Sequence, residues 1–268
     1  MTRIDLATRP ARAAAANEDY AAASVAMDTG VVVVLDGVTP PADGECGCTH
    51  GLPWFTERLG TALVESVGSA APLPDCLAVA IRRTAAAHPA CDLSHRRTPQ
   101  ATVALLRWSA DRVEYLVLSD AAVLLAAADG TVTPVLDSRL DELRARRLGN
   151  LEALRNVPGG FHTAAADPTV AALAVTGAVD RTELRGAAAL TDGATRWTEL
   201  FRHGDWTDLY AVLRTEGATA LLDKVRATEA TDPDRELFPR GKVSDDATAV
   251  HIGLPAPRDA DERLHSRH

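Results

Sequence analysis

Apolar residues recur along this chain in two rhythms, and the change of rhythm marks out its elements. The run Val31-Val32-Val33-Val34-Leu35 has no polar alternation, which predicts a strand buried on both faces. Residues 24–27 predict a second strand, joined to it through the turn signal Asp28-Thr29-Gly30. The first dozen residues carry little pattern and predict a short strand or arm. Residues 39–51, rich in Pro, Gly and Cys, predict a loop. Helical spacing follows over 52–67 and 73–87, with Pro72 and Pro74 punctuating the second start. From Ala101 the period shortens, predicting strands over 101–108, 112–119, 121–127 and 131–136 with tight connections, as in an antiparallel meander. Residues 137–148 and their continuation past Asn150 predict a charged helix closing at Pro158-Gly159-Gly160, and 168–174 a short one. A buried strand over 186–191, helices over 194–201, 206–215 and 218–230, and a last strand over 247–252 complete the series. Strands and helices in separate runs predict an α+β fold. With no repeat and no linker, one domain over 1–254 and a polar, frayed tail over 255–268 are expected.

Composition narrows the function classes. With 268 residues, 46% hydrophobic and 24% charged, the chain can bury an ordinary core. A formal net charge of −9 repels a phosphate backbone, so no nucleic-acid partner is expected. Arg82-Arg83, Arg96-Arg97 and residues 144–147 read as solvated helix faces. No apolar run approaches the ~20 residues of a membrane span, so no membrane partner is expected. The start, Met1-Thr2-Arg3-Ile4-Asp5, lacks the apolar core of a signal peptide, and a cytoplasmic location is the default expectation.

Acidic motifs sit at the ends of the apolar runs: Asn17-Glu18-Asp19, Asp36-Gly37, Asp192-Gly193 and Asp245-Asp246. A carboxylate at the exit of a buried strand is costly unless something neutralises it. Several converging carboxylates are matched by a hard divalent cation, since Mg²⁺ and Mn²⁺ prefer oxygen ligands. A second motif, Cys46-Gly47-Cys48-Thr49-His50, carries zinc-type ligands. Its spacing supplies at most three of them, and Cys76 or Cys91 would have to come in from a helical region. A loop with free thiols is therefore the expectation there.

The order of the acidic motifs, with Ser119-Asp120 in the meander, Thr191-Asp192-Gly193, and Ser244-Asp245-Asp246-Ala247-Thr248 before the last strand, resembles the metal-dependent protein phosphatases of type 2C. The resemblance spans roughly residues 17–252. It implies a four-layer αββα sandwich, two antiparallel sheets with helices packed on both outer faces. It implies that Asp36 bridges two metal ions, with the carbonyl of Gly37 on one of them, and that Asp192 and Asp245 are further ligands. Glu18 and Asp19 would contact the second ion largely through water, and Asp120 a third, weaker ion. The cofactor would be Mn²⁺ or Mg²⁺, two ions with a third site. The implied activity is hydrolysis of a phosphomonoester by a water bridging two ions, with phosphorylated serine or threonine in a protein or peptide as substrate. The alternatives are a catalytically weak binding or regulatory domain and a phosphatase of a small phosphorylated metabolite.

The chain departs from the family pattern at informative places. The position of the arginine that grips the substrate phosphate holds Ala14, and Arg12 is the nearest arginine. Val38 stands where some members carry a histidine that protonates the leaving group. The usual Gly-Asp-Ser-Arg reads Ser119-Asp120-Ala121-Ala122. His50, in the loop after the metal strand, is the candidate for either missing role.

Overall fold

The computed structural model describes residues 2–40, 45–147 and 149–255. Among these residues, ten strands form two five-stranded antiparallel sheets. The first has the order β1 (Arg3–Arg9), β10 (Ala247–Gly253), β9 (Leu184–Leu190), β6 (Ala122–Ala127), β7 (Val132–Leu136). The second runs β2 (Tyr20–Ala26), β3 (Thr29–Gly37), β4 (Ala101–Trp108), β5 (Arg112–Leu118), β8 (Val175–Asp180). Helices α1 (Leu52–Val67) and α2 (Leu73–Ala86) cover the second sheet. Helices α4 (Asp192–Glu199), α5 (Trp206–Thr215) and α6 (Ala218–Thr231) cover the first. The α+β expectation and the four-layer αββα order are both observed.

The valine run explains the middle of this stack. Val32 and Val34 point into the inter-sheet core with Ala104, Leu106, Ala187, Ala189 and Val250. Val31, Val33 and Leu35 point the other way, against Leu59 and Leu63 of α1 and Leu77 and Ile81 of α2. Both faces are dry, so the strand has no use for alternation. Each such side chain contributes about 1.5–3 kcal/mol on burial.

Three expectations are corrected. The four strands from Ala101 do not form one meander. β4 pairs with β5 and β6 with β7, but the chain changes sheet between them at Ser119-Asp120-Ala121. Ser119 adopts a left-handed backbone (φ 67°), and its N–H donates to the buried carboxylate of Asp137 at 2.9 Å. The helix expected over 137–148 is shorter, α3 (Arg139–Ala145), and continues only as a 3-10 turn at Leu151–Leu154. Strand β8 is an addition. Its sequence, Val-Thr-Gly-Ala-Val-Asp, is short and interrupted by Gly177, where an added Cβ would lie 2.1 Å from the Tyr115 hydroxyl. No helix is long and apolar enough to cross a membrane among the described residues. The expected tail lies outside them beyond Pro255.

Candidate metal centre

Antiparallel pairing brings distant parts of the chain to one end of the sandwich. Arg9 at the end of β1 faces Ala247 at the start of β10, and Ala249 faces Leu190 at the end of β9. In the second sheet Tyr20, opening β2, faces Leu35, and Gly37, closing β3, faces Ala101. Hence 17–19, 36–37, 191–192 and 245–246 emerge at one rim, and the crossing at 119–121 joins them. Asp36, Gly37, Asp120, Asp192 and Asp245 line a single open pocket of about 300 Å³.

Glu18 and Asp19 stand behind this pocket. The Asp19 Oδ2 accepts hydrogen bonds from the hydroxyls of Thr191 (3.0 Å) and Thr248 (2.7 Å), which fasten it to β9 and β10. Its Oδ1 is buried with no partner among the described residues, and so is Oδ1 of Asp192. Glu18 accepts from the hydroxyl of Thr39, a residue of the pocket wall. Asp246 serves the scaffold: its carboxylate accepts from the N–H groups of Ala11 (2.6 Å) and Glu18 (2.7 Å) and pins the segment after β1. Gly37 and Gly193 are required by close approach. A Cβ on Gly37 would sit 2.8 Å from the Glu18 carbonyl, and one on Gly193 would sit 1.9 Å from that of Asp246. Gly193→Ala should therefore cost about 3 kcal/mol, read as a lower urea midpoint; an unchanged midpoint would show that this rim yields freely.

Burial and mutual repulsion dominate the electrostatics. Burial, then the charges of Asp19, Asp192 and Asp245, hold Asp36 well above the usual carboxylate range. Burial pushes Asp19 up to about 8, offset by its threonine hydrogen bonds and reinforced by Asp246. Asp192 is raised to about 7 by burial and by Asp120 and Asp245, although it opens α4, where the helix dipole favours an anion. Glu18 is raised as well, chiefly by burial. This is a donor set in which protons stand in for missing positive charge. Unpartnered buried oxygens and acid-only ligands fit hard divalent ions.

The cations of the pocket are not those the sequence suggested. Arg12 is exposed in a turn away from the pocket lining, its carbonyl accepting from Ala15 N–H at 2.9 Å. His50 is outside the lining too, stacked on Trp54 with ring centroids 4.2 Å apart. Lys242, Arg144 and Arg155 line the pocket instead. Lys242 Nζ reaches Asp245 Oδ1 (2.7 Å) and the Thr39 hydroxyl (2.9 Å). Arg144, expected on a solvated face, turns to Asp120 Oδ2 at 3.3 Å. Arg155 lies over Phe161 at 5.5 Å, and its Nε is buried with no partner among the described residues. Its carrier segment is held down by a small cluster of Leu140, Leu143 and Phe161. Lys242 had a sequence signal, a lone lysine three residues before Asp245; the two arginines had none.

No family model and no curated protein matches this sequence. Solved structures do match. The serine/threonine phosphatase Stp1 from Staphylococcus aureus superposes with a TM-score of 0.61 at 10% identity, over 95% of this chain and 96% of that one. The catalytic domain of the serine/threonine protein phosphatase PstP in complex with two manganese ions gives 0.57 at 16% identity, over 94% and 97%. RsbX in complex with magnesium gives 0.53 at 10% identity, over 95% and 96%. The chain has the fold of these phosphatase structures over nearly its whole length.

Proposed function

We propose that this protein is a metal-dependent phosphomonoester hydrolase acting on phosphorylated serine or threonine in a protein or peptide. The observation that carries the reading is the convergence of Asp36, Asp120, Asp192 and Asp245 on one pocket whose wall also holds Lys242, Arg144 and Arg155. Asp36, Asp192 and Asp245, with the carbonyl of Gly37, would hold two divalent ions, and Glu18 and Asp19 would reach one of them through water. Asp120 would hold a third. Manganese and magnesium in the matching PstP and RsbX structures support these ions here. Two divalent ions, when bound, supply Lewis acidity toward phosphoryl oxygens and acidify water for in-line attack.

The chain's own part is positioning. Arg196 Nη2 donates to Asp245 Oδ2 at 3.0 Å and Lys242 donates to Oδ1, so both oxygens of that ligand are oriented. Thr191 and Thr248 orient Asp19 in the same way. Arg155, with an unused buried Nε, is the group placed to grip a phosphate entering the pocket, taking the role that neither Ala14 nor Arg12 fills. Replacing it with alanine removes a charge-assisted hydrogen bond of about 1.5–3 kcal/mol. kcat/KM should fall roughly 10–100-fold, mostly through KM. An unchanged KM would remove Arg155 from the substrate site.

The proposal is tested by manganese-stimulated hydrolysis of p-nitrophenyl phosphate and of a phosphothreonine peptide, compared with Asp192→Ala. Equal rates in the wild type and the variant would end it. A preference for sugar phosphates over the peptide would move the substrate to small metabolites. The raised carboxylates add a pH signature. Ions must displace protons held by Asp19 at about 8 and Asp192 at about 7, so manganese affinity should rise between pH 6 and 8 by on the order of 10²-fold. Isothermal titration at the two pH values, with proton release read from the buffer dependence, checks this.

A further inference from the structure

The motif at Cys46–His50 finds its missing partners in the turn after α2. Cys48, His50, His88 and Cys91 each bring one ligand atom to a common point, and all four atoms lie within 4.8 Å of one another. Cys48 Sγ is 3.7 Å from Cys91 Sγ, 3.6 Å from His50 Nδ1 and 3.5 Å from His88 Nδ1; Cys91 Sγ is 3.4 Å from His50 Nδ1. A tetrahedral zinc ion with Zn–S of about 2.3 Å and Zn–N of about 2.0–2.1 Å gives edges of about 3.8 Å between sulfurs and about 3.5–3.6 Å between sulfur and nitrogen. These four of the six edges match within ~0.2 Å. The sulfurs are far too distant for a disulfide of about 2.05 Å.

We propose that Cys48, His50, His88 and Cys91 form a structural zinc site, separate from the acidic pocket. The motif itself supplies two of the four, Cys48 and His50; Cys91, named above as a partner that would have to come in, arrives from the turn after α2, and His88 was not foreseen. Cys46 is not a ligand: its thiol points to the Cys48 carbonyl at 3.3 Å. Two soft sulfurs and two imidazoles select zinc over the hard ions suited to the carboxylates. Binding releases the two thiol protons to solvent, leaving a site with no net charge. Four protein ligands close the tetrahedron, so the ion would have no open position for catalysis.

The surroundings are built for this. His50 N–H donates to Cys48 Sγ at 3.4 Å, as a backbone amide does to a thiolate. Trp54 stacks on His50 and meets His88 edge-on at 4.6 Å, fixing both rings with Nδ1 inward. Asp92 N–H donates to the Gly47 carbonyl at 2.8 Å, and Gly47 takes a left-handed backbone (φ 71°) where a Cβ would meet the Asp92 carbonyl at 2.5 Å. A bound ion would clamp the stretch leading into α1 to the end of α2.

The test uses the full chain, stripped with chelator and titrated with zinc or cobalt. One zinc per chain should be retained after dialysis. Cobalt should give tetrahedral visible bands and a thiolate-to-metal charge-transfer band that carboxylates cannot produce. Cys91→Ser should weaken that band and lower the Tm by roughly 10 °C, the double variant Cys48→Ser, Cys91→Ser should abolish the band, and Cys46→Ser should leave both readings unchanged. Asp192→Asn should keep the zinc and the cobalt spectrum. Wild-type protein that binds cobalt without a charge-transfer band, or a band that survives the double variant Cys48→Ser, Cys91→Ser, would overturn the site even if the Cys variants fold poorly.

Discussion

Asp36→Asn should abolish manganese-dependent hydrolysis, by about 10³-fold or more, while raising the stability of the metal-free protein. The two effects share one cause. Asp36 is half-buried among Asp19, Asp192 and Asp245, and its folded-state pKa is held well above the usual range. A group whose folded pKa is raised binds more protons folded than unfolded. It therefore loses its contribution to stability as pH rises from the unfolded value near 4 through the folded one. At pH 8 the wild type carries that strain in full, and an isosteric amide removes it. A gain of about 1–3 kcal/mol in the metal-free state is expected at pH 8, shrinking toward zero below pH 5. Saturating manganese should reverse the order, since only the wild type gains binding energy. Thermal melts at pH 5 and pH 8, with and without manganese, read all four conditions. A lower metal-free Tm for Asp36→Asn at pH 8 would mean that the carboxylates do not repel one another.

That behaviour was partly visible in the sequence, for a local reason. An unbroken apolar run ending in Asp-Gly states both the strand and its unneutralised exit, because a dry strand and a carboxylate at its end are properties of neighbours in the chain. The helices over 52–67 and 73–87 were legible on the same basis, since 3.6-residue spacing is local. What failed was long-range. Period-2 spacing from Ala101 marks strands but does not say that β5 and β6 belong to different sheets; the left-handed Ser119 and its bond to Asp137 decide that. Arg144 and Arg155 look like any surface arginines until the Leu140–Phe161 cluster tilts their segment over the pocket. His88 has Cys91 three residues on, but it meets Cys48 and His50 only once the loop before α1 packs against the end of α2. The family resemblance named acidic residues that do line one pocket, whereas Arg12 lies away from it and the arginines of the lining, Arg144 and Arg155, come from a segment the resemblance did not point to.

Glu229→Leu should destabilise the fold by about 3–5 kcal/mol and slow the metal-activated reaction as well. Glu229 lies on α6 with its side chain 1% exposed, between Arg196 Nη1 at 2.7 Å and Arg226 Nη1 at 2.6 Å. Arg196 in turn holds Asp245 at 3.0 Å, so the outer helices reach the acidic pocket through this chain of charges. Removing the glutamate leaves two guanidinium groups facing each other across a desolvated gap, which costs more than the intact pair contributed. A Tm lower by roughly 10 °C, little changed by salt, is the expected reading, because a buried pair is poorly screened. The double variant Arg196→Met, Glu229→Leu should recover part of that stability, as an apolar pair of similar volume needs no neutralisation. It should not recover activity, because Asp245 Oδ2 has then lost the donor that aims it at the pocket. If the double variant regained full activity, Lys242 alone would suffice to orient Asp245, and the network behind it would serve stability only.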